Sequence, residues 1–258
     1  MSDNNVTNIS DDKAIAVWNK VLTGALKLPG TKIDRNSFLT KELGKYYSGE
    51  TISCVLENGL YASDIDKNIL DKIAKSVINF HTNIATGISF GAGLPGGWWM
   101  AATIPADLAQ FYAQIIIVAQ KLAYIYGWDD FTSENVSDEF LNILTIFIGI
   151  MSGVTTAEKA IKVAAETFAK HIAKKLPQQA LTKYTVYNVI KKVAAFLGVK
   201  ITKETFAKNI AKAVPILGGF VSGTITLVTF KRMAERLRKY LASLPSTNES
   251  STTSYLQR

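Results

Sequence analysis

The feature of this sequence that most constrains its fold is the length of its uncharged segments. Residues 76–106, 108–120, 140–157 and 213–230 contain no lysine, arginine, aspartate or glutamate. A helix that crosses a membrane needs about 20 apolar residues, and a stretch of about 18 or more is a candidate. Three of the four segments reach that length. The chain must therefore bury these segments in a large core or place them in a bilayer.

The composition of the segments favours a protein core. Segment 76–106 has a centre rich in glycine and proline, and segment 213–230 contains Pro215 and three threonines. Segment 140–157 is the most apolar, with ILTIFIGI at its centre. A helix that is hydrophobic on every side lies inside a large domain or in a membrane, so we predict very apolar helices at the centre of the domain. Insertion into a membrane remains the alternative.

Periodicity predicts an all-α fold. Apolar residues recur three and four positions apart almost throughout, whereas the alternation typical of strands is scarce. We predict a single helical domain of about seven to nine helices over residues 11–244, between disordered polar tails at residues 1–10 and 245–258. The first helix is expected from Ser10 to Pro29-Gly30, followed by one or two short helices within 36–62. A long helix is expected to begin at Ser63 or Asp64, with an apolar face of Ile69, Ile73, Val77, Phe80 and Ile84. The remaining helices are expected from Pro105 to Gly127 and at 137–153, 156–176, 182–197, 203–213 and 216–243.

Two lysine-rich segments resemble each other. They are ETFAKHIAKKLP at 166–177 and ETFAKNIAKAVP at 204–215. The similarity indicates either a duplicated helical hairpin or convergence of two helices of similar composition, and a single match does not define a repeat fold.

Small residues spaced four apart predict close packing between the two most apolar helices. Residues four apart share one face of a helix, and small side chains let two backbones approach closely. We predict helix packing at Gly149, Gly153, Gly218, Gly219, Ser222 and Gly223.

Charge is distributed unevenly along the chain. Residues 1–75 contain ten basic and ten acidic residues, and residues 76–139 contain Lys121 and six acidic residues. Residues 140–258 contain 18 basic and five acidic residues. A basic half of this kind favours anionic partners, although a solvated basic surface is the alternative. Nucleic acid is disfavoured, because the basic cluster of residues 231–239 has neither interleaved aromatic residues nor a recognisable nucleic-acid-binding fold. Contact with anionic lipid is predicted at Lys231, Arg232, Arg236, Arg238 and Lys239, where cations also stabilise a helix C-terminus.

The segment GLPGGWWMAATIPADLAQF, residues 93–111, predicts a surface for membrane or ligand contact. Tryptophan favours the interface between membrane and water, because its ring is apolar and its N–H needs a polar partner. The alternative is that the rings fill the core and that the Asp107 carboxylate stabilises the first turn of a helix. Contact with the membrane or with an apolar ligand is predicted at Pro95, Gly96, Gly97, Trp98, Trp99, Met100, Asp107 and Phe111.

Catalytic and metal-binding signatures are scarce. Cys54 is the one cysteine, and the two histidines, His81 and His171, are not accompanied by acidic residues at metal-ligand spacing. We expect His81 to be a hydrogen-bonded, buried or half-buried imidazole, and we predict no metal and no cofactor. The polar N-terminus does not resemble a secretory signal, so we expect a cytoplasmic protein. An enzyme that acts on a lipid is a third class, for which only Asp107, His81 and a few hydroxyl groups are available.

Two segments resemble the EcsC family of bacterial proteins. They are LPGGWWMAATIPADLAQFYAQIIIVAQKLAYIYGW and KAVPILGGFVSGTITLVTFKRMAERLRKYL, and the resemblance covers about residues 65–243. It implies a helical bacterial protein that is cytoplasmic or membrane-associated. The founding member of that family is encoded beside an ABC transporter, and the family has no established enzymatic activity that the resemblance could imply for this chain.

These patterns together predict a non-enzymatic protein at the inner face of the cell membrane. Its basic C-terminal half would recruit it to anionic lipid, and a lipid or another apolar ligand would lie between 76–120, 140–157 and 213–230. The alternative is an accessory or scaffold protein of a membrane transporter, with no ligand of its own.

Overall fold

The computed structural model describes residues 10–60, 63–90, 106–128, 130, 138–159, 184–212 and 218–244. In this part of the chain there are nine helices and no strands, so the predicted all-α class is confirmed. The helices are α1 Asp11–Leu26, α2 Arg35–Leu43, α3 Gly49–Asn58, α4 Lys67–Phe90, α5 Ala106–Ile125, α6 Asp138–Met151, α7 from residue 155 as far as residue 159, α8 Tyr184–Lys212 and α9 Gly218–Ala242.

Polar caps begin the first three helices. Ser10 precedes α1 with an extended backbone, and Asp11 and Asp12 follow in the first turn, where acidic side chains stabilise the free N–H groups. The Asp34 side chain accepts a hydrogen bond of 2.7 Å from the Ser37 backbone N–H at the start of α2. That bond lowers the pKa of Asp34 below its ordinary value. Ser48 caps α3 in the same way.

Two predicted helix boundaries are wrong. The helices expected at 182–197 and 203–213 form one continuous helix, α8. The long helix expected from Ser63 or Asp64 begins at Lys67. Its buried face also differs from the predicted one, because Phe80 is 60% exposed. His81 is buried instead, since it turns toward α5.

Helix α5 lies at the centre of the fold. It packs against α1, α2, α4, α6 and α9, while α1 packs closely on α8 and α4 on α9. Helix α6 packs against α5, α8 and α9, and most of its side chains from Phe140 to Met151 are buried. The two most apolar described helices therefore form the interior, as predicted for the centre of the domain.

Contacts between side chains give the helix directions. Asp71, near the start of α4, pairs with Arg238, near the end of α9, so these two helices run antiparallel. Phe111, in the second turn of α5, contacts Phe230 of α9, and Tyr126, just after α5, lies close enough to Arg238 to affect its pKa. Helices α5 and α9 are therefore parallel, and α4 runs antiparallel to both.

Within the described residues, one helix is long and apolar enough to cross a membrane, Leu108–Ile125 of α5. In the structure 72% of that stretch is buried, as is usual for the central helix of a globular core. The apolar part of α6, Phe140–Met151, is shorter than a span. Segment 140–157, judged the most apolar from the sequence, is interrupted by Gly153, whose φ of 83° ends the helix.

Candidate functional site

A polar cluster lies between α4 and α5, inside otherwise apolar surroundings. His81 is 4% exposed, and its Nδ1 atom lies 2.8 Å from Oε1 of Gln114. Its Nε2 atom lies 2.9 Å from Nζ of Lys121. The sequence prediction of a buried, hydrogen-bonded His81 is confirmed, and the structure adds both partners.

The hydrogen bonds define the protonation state of the cluster. An ammonium group can only donate, so Nε2 of His81 accepts from Lys121, and the ring proton on Nδ1 is donated to Gln114. Burial, and then the nearby Lys121 charge, lower the pKa of His81 to about 4, although the bond to Gln114 acts in the opposite direction. His81 is therefore neutral at pH 7.

Lys121 holds its charge in unusual surroundings. Its ammonium lies 5.5 Å from the centre of the Phe38 ring, a cation–π contact with α2. Among the carboxylates whose side chains the structure describes, none comes within 4.0 Å of Nζ. Burial lowers the pKa of Lys121, and the more distant Glu42 opposes this shift. A half-buried cation that lacks a close carboxylate is costly, so this cluster is the strongest candidate site in the described chain.

Gln120, which precedes Lys121, and Tyr124, one turn later in α5, hold α2 in place beside Lys121. The Gln120 side chain donates to the Thr31 carbonyl at 2.6 Å and accepts from the Ile33 N–H at 3.2 Å. Tyr124 donates to the Ile33 carbonyl. Nε of buried Arg35 donates to the Trp128 carbonyl at 3.1 Å. These bonds fix the connection between α1 and α2 on α5, and with it the position of Phe38.

Most of the residues predicted to contact membrane or ligand lie outside the described residues. These are Pro95, Gly96, Gly97, Trp98, Trp99 and Met100. Asp107 is in the first turn of α5, where the structure describes only its backbone. Phe111 is half-buried, and its ring lies 5.6 Å from Tyr112 and 6.0 Å from Phe230. Phe111 therefore contributes to the packing of α5 against α9.

Two of the five residues predicted to contact anionic lipid make contacts within the protein. Arg236 donates from Nη1 to the Met151 carbonyl at 2.8 Å, at the end of α6. Arg238 pairs with Asp71 and donates to Glu235 at 2.7 Å, and its side chain is only 12% exposed. Both guanidinium groups are held by contacts within the protein, which sequence spacing does not reveal. The remaining three, Lys231, Arg232 and Lys239, are exposed on α9.

Of the residues predicted to pack helices together, Gly149 lies at a close contact between helices, and Gly153 does not. A Cβ atom on Gly149 would lie 2.5 Å from Cγ1 of Val193, so α6 approaches α8 there rather than α9. Gly153 is not a packing residue inside a helix, because its positive φ belongs to the turn that ends α6. The predicted packing residues Gly218, Gly219, Ser222 and Gly223 lie in the first turns of α9, where the structure describes only the backbone.

A surface on α8 was missed by the sequence analysis. Phe196 is 47% exposed, and Lys192 and Lys200 lie four residues to either side of it on the same face of the helix. Lys192 is exposed, and Lys200 is half-exposed. The spacing of lysine, phenylalanine and lysine in KKVAAFLGVK was the available signal.

Comparisons with known proteins identify no relative of this chain. No family model matches the chain, and neither a curated protein nor a solved structure matches it. The resemblance to the EcsC family therefore stays a prediction. Within the described residues, no group of three or more histidine, cysteine, aspartate or glutamate side chains could hold a metal ion.

Proposed function

We propose that this chain is a non-enzymatic, peripheral membrane protein that binds lipid and is recruited to anionic bilayers by helices α8 and α9. The observation that carries the proposal is the pairing of exposed apolar side chains with exposed cations on both helices. Phe196 on α8 lies between Lys192 and Lys200, and Val228 on α9, 46% exposed, precedes Lys231 and Arg232.

The exposed face of α9 suits an anionic surface. Spacings of four and seven residues place Val228, Arg232 and Lys239 along one side of the helix, with Lys231 beside them. A basic residue close to an anionic membrane contributes about 1 kcal/mol of binding free energy. Three such residues on α9 would therefore strengthen binding by about 100-fold, and exposed Val228 adds apolar contact with the lipid.

The face of α8 supports the same function independently. An exposed phenylalanine with flanking lysines is typical of helices that lie in the plane of a membrane interface, because the ring enters the lipid while the cations meet the headgroups. Phe196 has nearly half of its surface open to solvent in the described structure. That exposure is unusual for a large aromatic side chain unless a partner covers it.

Flotation with lipid vesicles tests the proposal. Full-length protein is mixed with vesicles of phosphatidylcholine, alone or with phosphatidylglycerol, at low and at high salt. We expect flotation with the anionic vesicles at low salt, and its loss at high salt. Organic extraction and mass spectrometry of the purified protein then test for bound lipid.

Matched variants locate the contact. The variant Lys231→Gln/Arg232→Gln/Lys239→Gln should lose most of the binding, and Phe196→Gln should weaken it. The control Lys13→Gln/Lys20→Gln/Lys27→Gln removes the same charge from exposed positions on or just after α1 and should float like the wild type. Equal losses in both triple variants, or no flotation at low salt, would refute the proposal. Protein that neither floats nor carries lipid would favour the scaffold function.

A further inference from the structure

The cluster of Lys121, His81 and Gln114 has a net positive charge that its surroundings do not neutralise. The imidazole is neutral, and Gln114 is uncharged. Glu42 is the acidic group that raises the pKa of Lys121, but its Oε2 atom is already paired with Nζ of Lys45 at 2.5 Å. Lys41 adds a further positive charge that disfavours protonated Lys121. The site therefore attracts an anion.

Lys121 also retains hydrogen-bonding capacity. An ammonium group has three N–H donors, and the described structure uses one of them for Nε2 of His81. The Phe38 ring faces the charge but accepts no conventional hydrogen bond. A carboxylate or phosphate oxygen beside Nζ would accept hydrogen bonds from the remaining N–H groups. Its negative charge would also raise the pKa of Lys121, which burial lowers.

An exposed apolar surface adjoins the cluster. The Phe80 ring packs edge-on against the His81 ring, with 5.1 Å between the ring centres, yet Phe80 is 60% exposed. Ile84 follows one turn later on the same side of α4 and is half-exposed. His81 thus contacts both the half-buried Lys121 cation and the exposed Phe80 ring, from which the apolar strip continues to Ile84.

We propose that Lys121, which the acceptor Nε2 of His81 holds in place, binds the anionic headgroup of a single-chain amphiphile, and that its hydrocarbon chain covers Phe80 and Ile84. This inference rests on the proposed lipid-binding function and specifies its ligand class. The headgroup is a carboxylate or a phosphate, since either matches the ammonium donors. The site is separate from the exposed faces of α8 and α9, so membrane docking and ligand binding are distinguishable.

Calorimetric titration of the full-length protein tests the assignment. The probes are oleate below its micelle concentration, the uncharged alcohol of the same chain, and inorganic phosphate alone. We expect oleate to bind, the alcohol to bind at least about tenfold more weakly, and phosphate alone to bind weakly, because both the charge and the chain contribute. Phosphate binding as tight as that of oleate would exclude the amphiphile and indicate a site for a free anion.

Variants separate the two parts of the site. Lys121→Met keeps the length of the side chain without its charge and should weaken oleate binding by about tenfold or more. Phe80→Gln removes only the apolar surface, so it should weaken the binding of oleate but not the binding of phosphate. Lys20→Met, at an exposed position of α1, is the control. Lys121→Met should float with anionic vesicles like the wild type. Unchanged oleate binding in both site variants, or no oleate binding in protein that still floats, would overturn the inference.

Discussion

The carbonyl oxygen of Ala14 lies only 1.9 Å from the position that a Cβ atom on Gly198 would occupy. Helices α1 and α8 therefore approach each other so closely at this point that only glycine fits. The obstacle is backbone, which cannot rotate away as the end of a side chain can. Gly198 thus determines how α8 packs against α1.

We expect Gly198→Ala to destabilise the protein, because the added methyl group must push α1 and α8 apart. The free energy of unfolding should fall by roughly 1–3 kcal/mol, the usual range for overpacking a core. Urea denaturation followed by circular dichroism measures the change. Gly49→Ala is the control, since nothing lies within 4 Å of its added Cβ, and alanine at this helical position should increase stability slightly. Equal effects at the two sites would contradict the close approach.

The same glycine shows where sequence analysis succeeds and where it fails. The all-α class follows from local periodicity, which each helix expresses in its own residues. Two helices were predicted at 182–197 and 203–213, whereas the structure has one continuous α8 with Gly198 inside it. Glycine is required at position 198 because the Ala14 backbone, which is far away in sequence, lies against it. Periodicity contains no information on such a contact.

The candidate site could likewise be predicted only in part, because its residues meet through tertiary packing. The apolar surroundings of His81 allowed its burial to be predicted, but Gln114 and Lys121 are separated from it by 33 and 40 residues. The charge of Lys121 was visible in the sequence as the only basic residue of 76–139. Its position beside His81 depends on the antiparallel packing of α4 against α5, which is a property of the tertiary structure.

A second prediction concerns the hydrogen bond between Trp18 of α1 and Thr145 of α6. Trp18 is fully buried, and its Nε1 donates to Oγ1 of Thr145 at 3.0 Å. Thr145→Val leaves the indole N–H buried without an acceptor and should cost about 1–3 kcal/mol. Chemical denaturation of this variant, of Trp18→Phe and of the double variant gives the coupling energy. Strict additivity of the two changes would show that the bond does not stabilise the fold.

A third prediction distinguishes internal cations from surface cations on α9. Arg238→Met leaves Asp71 and Glu235 without their shared partner, so we expect a loss of about 1–3 kcal/mol in thermal or urea unfolding. Lys231→Met removes the same charge from an exposed position and should change stability by less than about 0.5 kcal/mol. For vesicle binding we expect the opposite order, with Lys231→Met weakening the binding more than Arg238→Met does. Similar stability for both would show that Arg238 is not a structural residue.

The last prediction is a pH dependence of stability that His81 causes. Its pKa is about 4 in the folded protein and 6.5 in the unfolded chain, so the unfolded state binds a proton more readily. Protonation therefore favours unfolding, and the stability contributed by neutral His81 is complete above pH 6.5 and is lost as the pH falls toward 4. By pH 4 the loss should reach about 3 kcal/mol, at about 1.4 kcal/mol for each pKa unit.

The variant His81→Gln removes this proton site and should show a shallower loss of unfolding free energy over the same pH range. The difference between wild type and variant isolates His81 from the carboxylates, which titrate in both proteins. NMR titration offers a direct check, because the chain has two histidines and the variant identifies the resonance of His81. A pKa near 6.5 for that resonance would mean that the imidazole is solvated, and Lys121 would then have no buried acceptor beside it.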